Sequence, residues 1–185
     1  AIDILCTDKT GTLTQDEIIL EYPLDIHANL DLGVLKIAYL NSFFQTGLKN
    51  LLDRAIITRT EKEAEEHDQH HVQDRVKPTA RGKVIRQPFC AVENDEAVLV
   101  TKGALEEMLS ISTHVKDGDE VHPITEDIRK SILEAVSGLN EQGLRVLGVS
   151  QKKYQDIHHA FTVEDESNMI LMGYLAFLDP PKPSA

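Results

Sequence analysis

The chain opens on an apolar run, Ile2-Asp3-Ile4-Leu5-Cys6, followed from Thr7 to Thr14 by a polar stretch with one glycine. That is the pattern of a buried strand running into a loop. Ile18, Leu20, Tyr22 and Leu24 fall at alternate positions and predict a second strand within residues 15–26, ending near Pro23. From Leu32 the period changes. Leu32, Leu35, Tyr39 and Phe43 fit a helix that closes before Gly47, and Leu48, Leu51, Leu52, Ala55 and Ile56 mark a second amphipathic helix. Glu61 to Asp74 is almost wholly polar and reads as a solvated helix or loop.

Further along, Val98 to Thr101 forms a short strand leading into Lys102-Gly103-Ala104. Leu105, Met108 and Leu109 open a helix whose first turn carries Glu106 and Glu107, where carboxylates are favoured by the helix dipole. Asp117-Gly118-Asp119 is a turn between short strands. Thr125 with Asp127 and Ile128 starts a longer helix with Ile132, Ala135, Val136 and Leu139 on its apolar face, and Gly143 suits its C-terminal cap. Leu144 to Ser150 and Met169 to Leu178 complete the strands. The expected fold class is α+β, an antiparallel twisted sheet flanked by helices.

Composition narrows the function classes. The 185 residues, 41% apolar and 27% charged, suffice for one well-buried domain of ordinary globular type. A net charge of −12 repels phosphate backbones, so no nucleic-acid partner is expected. No run of about eighteen apolar residues is present to span a bilayer. Two cysteines, Cys6 and Cys90, give neither a metal-ligand spacing nor a disulfide framework, which favours a reduced, cytosolic setting. The abrupt apolar start and the stop after Asp179-Pro180-Pro181-Lys182 read as cuts within a larger protein.

The strongest candidate chemistry is Asp8-Lys9-Thr10-Gly11-Thr12-Leu13-Thr14, directly after the first strand. A carboxylate at a strand's C-terminal end sits at the rim where open α/β sheets bind ligands. Aspartate there is a competent nucleophile towards a γ-phosphoryl group, giving an acyl-phosphate. Lys9 offsets charge, and Thr10 with the amides around Gly11 can receive phosphate oxygens.

This seven-residue string resembles the phosphorylation signature of P-type ATPases. The resemblance implies that Asp8 is phosphorylated, that Lys9 and Thr10 contact phosphate, and that the Asp8 carboxylate and Thr10 carbonyl help hold Mg²⁺. Lys102-Gly103-Ala104 is similar to the family's KGA element, whose lysine lies at the base of the ATP pocket and whose glycine allows close approach. Taken alone, that triplet also describes a strand-to-helix turn with a solvated lysine. Leu144-Arg145-Val146-Leu147 resembles the strand whose arginine reaches the nucleotide phosphates, and Asp179-Pro180-Pro181 resembles the hinge back to the phosphorylation domain. Leu40-Asn41-Ser42 with Gln45-Thr46-Gly47-Leu48-Lys49-Asn50-Leu51-Leu52-Asp53 looks like bacterial magnesium-transporting members. By that likeness Asp53 is the acid approaching the adenine end of ATP; a solvent-facing helix acid is the alternative.

By the same resemblance, residues 1–14 are a phosphorylation-domain strand and loop, 15–176 the nucleotide-binding domain and 177–185 the hinge. The implied ligands are ATP and Mg²⁺, with membrane and further cytoplasmic domains of the same polypeptide as partners. The parent is expected in the plasma membrane with this domain on the cytoplasmic side. The fragment itself is expected to be soluble, monomeric and inactive alone.

One stretch departs from the family. Where members carry a sequence like PFDFERRRMSVVV, residues 78–87 read Pro78-Thr79-Ala80-Arg81-Gly82-Lys83-Val84-Ile85-Arg86-Gln87, without the aromatic that stacks on adenine. Arg75, Lys77, Arg81, Lys83 and Arg86 give residues 75–92 five positive charges and no acid. Two other classes compete with the pump. A haloacid-dehalogenase-like phosphatase also uses a strand-end aspartate, though it usually carries a second aspartate where this chain has Thr10. A non-catalytic metal- or partner-binding module would use His67, His70 and His71 with Glu63 and Asp74, or Glu63, Glu65 and Glu66.

Overall fold

A computed structural model describes residues 17–44, 49–66, 89–93, 96–156 and 161–180. Asp8, Lys9 and Thr10, the histidines at 67, 70 and 71, and the divergent residues 78–87 lie outside them. The elements in order are β1 (Ile19–Leu24), α1 (Leu32–Phe44), α2 (Leu51–Glu66), β2 (Phe89–Glu93), β3 (Glu96–Ala104) and α3 (Leu105–Ile111). They continue as β4 (Ser112–Asp117), β5 (Glu120–Pro123), α4 (Glu126–Glu141), β6 (Arg145–Tyr154), a 3₁₀ turn (Val163–Asp165) and β7 (Met169–Leu178).

The strands form a seven-stranded sheet in the order β2-β3-β6-β7-β4-β5, with β1 also paired to β7. β7, MILMGYLAFL, is apolar on both sides because both of its faces are covered, and it is the organising strand. Along one edge it pairs antiparallel with β6. The other edge is shared. Its first part runs parallel to β4, from Ser112 opposite Met169 to Val115 opposite Leu171. Its second part runs antiparallel to β1, from Leu24 opposite Tyr174 to Ile19 opposite Leu178.

Gly173 sits at the changeover with φ +151°, and a Cβ there would stand 2.2 Å from the Leu24 carbonyl oxygen. Only glycine fits that backbone and that contact. The β4–β7 pair also corrects the antiparallel expectation: the sheet is mixed. Parallel neighbours need a long crossover, supplied here by β5, α4 and β6, and no local pattern announces it.

Helices cover both faces. α1 and α2 pack Val34, Leu35, Ala38 and Ile56 against Leu20, Val98, Val100, Val149 and Leu175. α3 and α4 pack Leu105, Met108, Ile132 and Val136 against Leu24, Leu171 and Tyr174. Local signals behave as their chemistry dictates. The Thr125 hydroxyl accepts from the Ile128 amide at 3.2 Å and caps α4, while Gly143 ends that helix at φ +82°. α2 continues to Glu66, so the polar stretch from Glu61 begins as helix. β3 runs through Ala104, which makes Lys102 and Gly103 strand residues and not a turn. Among the described residues no helix is long and apolar enough to cross a membrane.

Candidate functional site

The site grows from the start of α2. Asn50 and Asp53 cap the helix reciprocally: the Asp53 amide donates to Asn50 Oδ1 at 2.9 Å, and the Asn50 amide donates to Asp53 Oδ2 at 3.3 Å. This leaves Asp53 Oδ1 for Lys102 Nζ, 3.0 Å away near the end of β3. Asp53 is fully buried and the Lys102 side chain is 8% exposed. The carboxylate is therefore no solvent-facing helix acid. Buried charges persist when paired and hydrogen-bonded, and this pair meets both conditions. Burial pushes the Lys102 ammonium below the usual lysine range, and the Asp53 carboxylate opposes that shift.

A third residue completes the group. Asn41, buried on α1, accepts from Lys102 Nζ through Oδ1 and donates through Nδ2 to the Val100 carbonyl at 2.8 Å. Asn41 was not among the expected site residues. The available signal was an amide following Val34, Leu35 and Ala38 on the buried face of α1, where a polar side chain must find partners.

Gly103 has its open side towards α3, where a Cβ would stand 3.1 Å from Met108 Cε and 3.4 Å from Glu107 Oε2. Its strand partner Gly148 faces the same helix, with a built Cβ 2.8 Å from Met108 Cβ. The two glycines let α3 lie close on the sheet. Arg145 opens β6 and is exposed. Val149 pairs with Lys102, and Arg145 lies four residues earlier on β6. Side chains alternate, so Arg145 and Lys102 share a sheet face, about 13 Å apart along the strand. Asp179 follows β7 and is half-buried.

On the opposite face, Thr101 Oγ1 donates to Glu166 Oε1 at 2.9 Å, and burial raises the Glu166 carboxyl while that bond lowers it. Lys152 Nζ donates to the Ser167 carbonyl at 2.8 Å, and Tyr154 donates from its hydroxyl to the Asp165 carbonyl at 3.3 Å. The turn at 162–167 is thereby held over β3 and β6. A separate groove of about 470 Å³ lies between Glu17–Leu20 and α2, lined by Leu51, Arg54, Arg59 and Lys62. At 100° per residue this lining is centred well over a third of a turn from Asp53, and neither Asp53 nor Lys102 reaches it.

Among the described residues no group of three or more His, Cys, Asp or Glu is placed to hold a metal. Glu63, one of the acids considered for that role, pairs with Arg59 at 2.6 Å.

Comparison with known proteins bears on the chain as a whole. Residues 45–184 match the family model described as "P-type ATPase, cytoplasmic domain N". The chain is 43% identical, over 98% of its length and 20% of the relative's, to "Magnesium-transporting ATPase, P-type 1" of Escherichia coli strain K12. It is 39% identical to the protein of that name from Salmonella typhimurium strain LT2, over 100% of this chain and 21% of the relative. "Calcium-transporting ATPase 1" of Bacillus cereus is 25% identical over 98% of this chain and 22% of the relative. The chain thus spans about a fifth of the length of the curated relatives it matches. The matched model covers strands β2 to β7 and helices α2 to α4, which separates the chain from a soluble phosphatase sharing only the aspartate motif. On sequence and fold together, the chain belongs to the P-type ATPase family, as its cytoplasmic domain N.

Proposed function

We propose that the chain is the ATP-binding region of a P-type ATPase whose parent polypeptide moves magnesium ions across a membrane. The magnesium reading rests on likeness to relatives that carry that name, over nearly the whole chain. In this reading residues 1–14 belong to the phosphorylation domain, 15–176 bind nucleotide and 177–185 form the hinge, with the domain on the cytoplasmic side. The remaining domains of the same polypeptide are its partners.

The observation that carries the reading is the buried Lys102–Asp53 pair on the same sheet face as the exposed Arg145. A charge-compensated pair offers directional hydrogen bonding to the neutral base end of a nucleotide. A solvated guanidinium further along the strand suits its phosphates. Gly103 contributes through its main chain and Asp179 from the hinge. Asp8, with Lys9 and Thr10 beside it, takes the γ-phosphoryl group: its carboxylate oxygen bonds to phosphorus as the bond to the bridging oxygen breaks and ADP leaves. Asp8 and Thr10 are the residues that hold Mg²⁺, which when bound neutralises phosphate charge.

Calorimetric titration of the chain with ATP, with and without Mg²⁺, tests this beside Lys102→Met and Arg145→Ala. Saturable binding that weakens in both variants is expected. No heat up to millimolar ATP from folded protein would overturn the nucleotide reading.

A further inference from the structure

We infer that Asn41 is a positioning residue for Lys102, fixing the ammonium between its own carboxamide oxygen and the Asp53 carboxylate. The proposal rests on the nucleotide reading for its consequence and on geometry for its substance.

A lysine ammonium on a four-carbon stem has no preferred direction, so its location is set by its acceptors. Asp53 alone supplies one, at 3.0 Å, from α2. Asn41 supplies the second from α1. The amide cannot rotate to serve some other group, because its Nδ2 is tied to the Val100 carbonyl two residues before Lys102 on the same strand. One carboxamide thus grips both the backbone of β3 and the tip of the side chain that β3 carries. The grip also fixes which end of the amide is oxygen: only the oxygen can face an ammonium. Asn41 and Asp53 are 4% and 0% exposed, so water does not compete for these positions. Among the described residues Asp53 is the charged group acting on Lys102, and Asn41 adds direction without charge.

The arrangement has a functional consequence. A ligand reaching Lys102 meets an ammonium already oriented by two acceptors, so little ordering remains to be done on binding. Without Asn41 the ammonium keeps Asp53 but gains a second free direction.

The test uses the full chain carrying Asn41→Leu, which keeps asparagine's branched outline without its polar atoms, and Asn41→Asp, which keeps an oxygen for Lys102 and loses the donor to Val100. Lysine side-chain ¹⁵N NMR follows the Lys102 titration, calorimetry follows ATP, and circular dichroism checks folding. Asn41→Leu should move the Lys102 titration downward and weaken ATP binding by about tenfold. Asn41→Asp should move the titration upward by adding a second carboxylate. An unchanged Lys102 titration in Asn41→Leu overturns the proposal. So does weaker ATP binding without that change, the signature of a packing role alone. If Asn41→Leu does not fold, Asn41→Asp decides: an upward movement supports the proposal and none overturns it. Lys102→Met separates the two readings. Unaltered ATP binding in that variant removes the nucleotide reading, while the titrations still judge the hold on Lys102.

Discussion

Lys102 Nζ lies 3.0 Å from Asp53 Oδ1, and the ion pair joins the end of β3 to the first turn of α2 inside the protein. Removing one partner leaves the other charge buried and uncompensated. Asp53→Ala should therefore cost about 3–5 kcal/mol, while the double variant Asp53→Leu with Lys102→Met should recover most of it. Urea unfolding of the three proteins checks this; a double variant no better than the single would show that the charges are not coupled. The pH dependence has a definite sign. Lys102 is depressed in the folded state, so the unfolded chain holds its proton to higher pH. Its burial cost is present in full below the folded value and is relieved as pH rises towards the ordinary lysine range.

Tyr174 is fully buried, its hydroxyl has no hydrogen-bond partner among the described residues, and burial pushes its ionisation up to about 12. Tyr174→Phe removes an unsatisfied donor without changing shape and should leave stability unchanged or raise it by about 1 kcal/mol. In the native protein this tyrosine should be the last to ionise in an ultraviolet titration. The neutral hydroxyl is favoured by folding, so stability falls as pH climbs from about 10, the unfolded value, through the folded one.

Gly173→Ala tests the point where β7 changes partners. The added methyl would meet the Leu24 carbonyl oxygen at 2.2 Å in a backbone region closed to other residues. A loss of at least about 3 kcal/mol is expected in chemical unfolding, from strain and clash together. A loss below about 1 kcal/mol would mean that β1 can shift its register freely.

His27 Nε2 lies 3.0 Å from Asp117 Oδ2, linking the β1–α1 turn to the β4–β5 hairpin. The hydrogen bond to Asp117 raises the His27 imidazolium above its ordinary range, and burial partly opposes this. Its stabilisation is complete below the unfolded histidine value and disappears as pH rises through the folded one. Histidine proton NMR should show that shift in the wild type and its loss in Asp117→Asn.

Some of this was legible in the residue order and some was not. β7 could be read from Met169 to Leu178 because a ten-residue apolar run buried on both faces leaves its mark in every position. Thr125 and Gly143 announced the ends of α4 through side-chain and backbone chemistry that acts within a few residues. The parallel pairing of β4 with β7 had no such sign, since it joins residues more than fifty positions apart. Asp53 and Lys102 could be singled out by likeness to a family, but not the burial that makes their pairing obligatory. Asn41 escaped notice because an amide carries no charge to mark it, and its partners come from a distant strand.

The pairing of Ile19 with Leu178 has a mechanical meaning. Two antiparallel strands that meet there bring the entering and departing chain within about 5 Å of each other. Tension applied through the two connections would not shear the β1–β7 ladder as a block but would load its first bond alone, then the next. A domain held by many buried contacts against heat and denaturant would thus open under traction like a zip, from the end where the pull arrives.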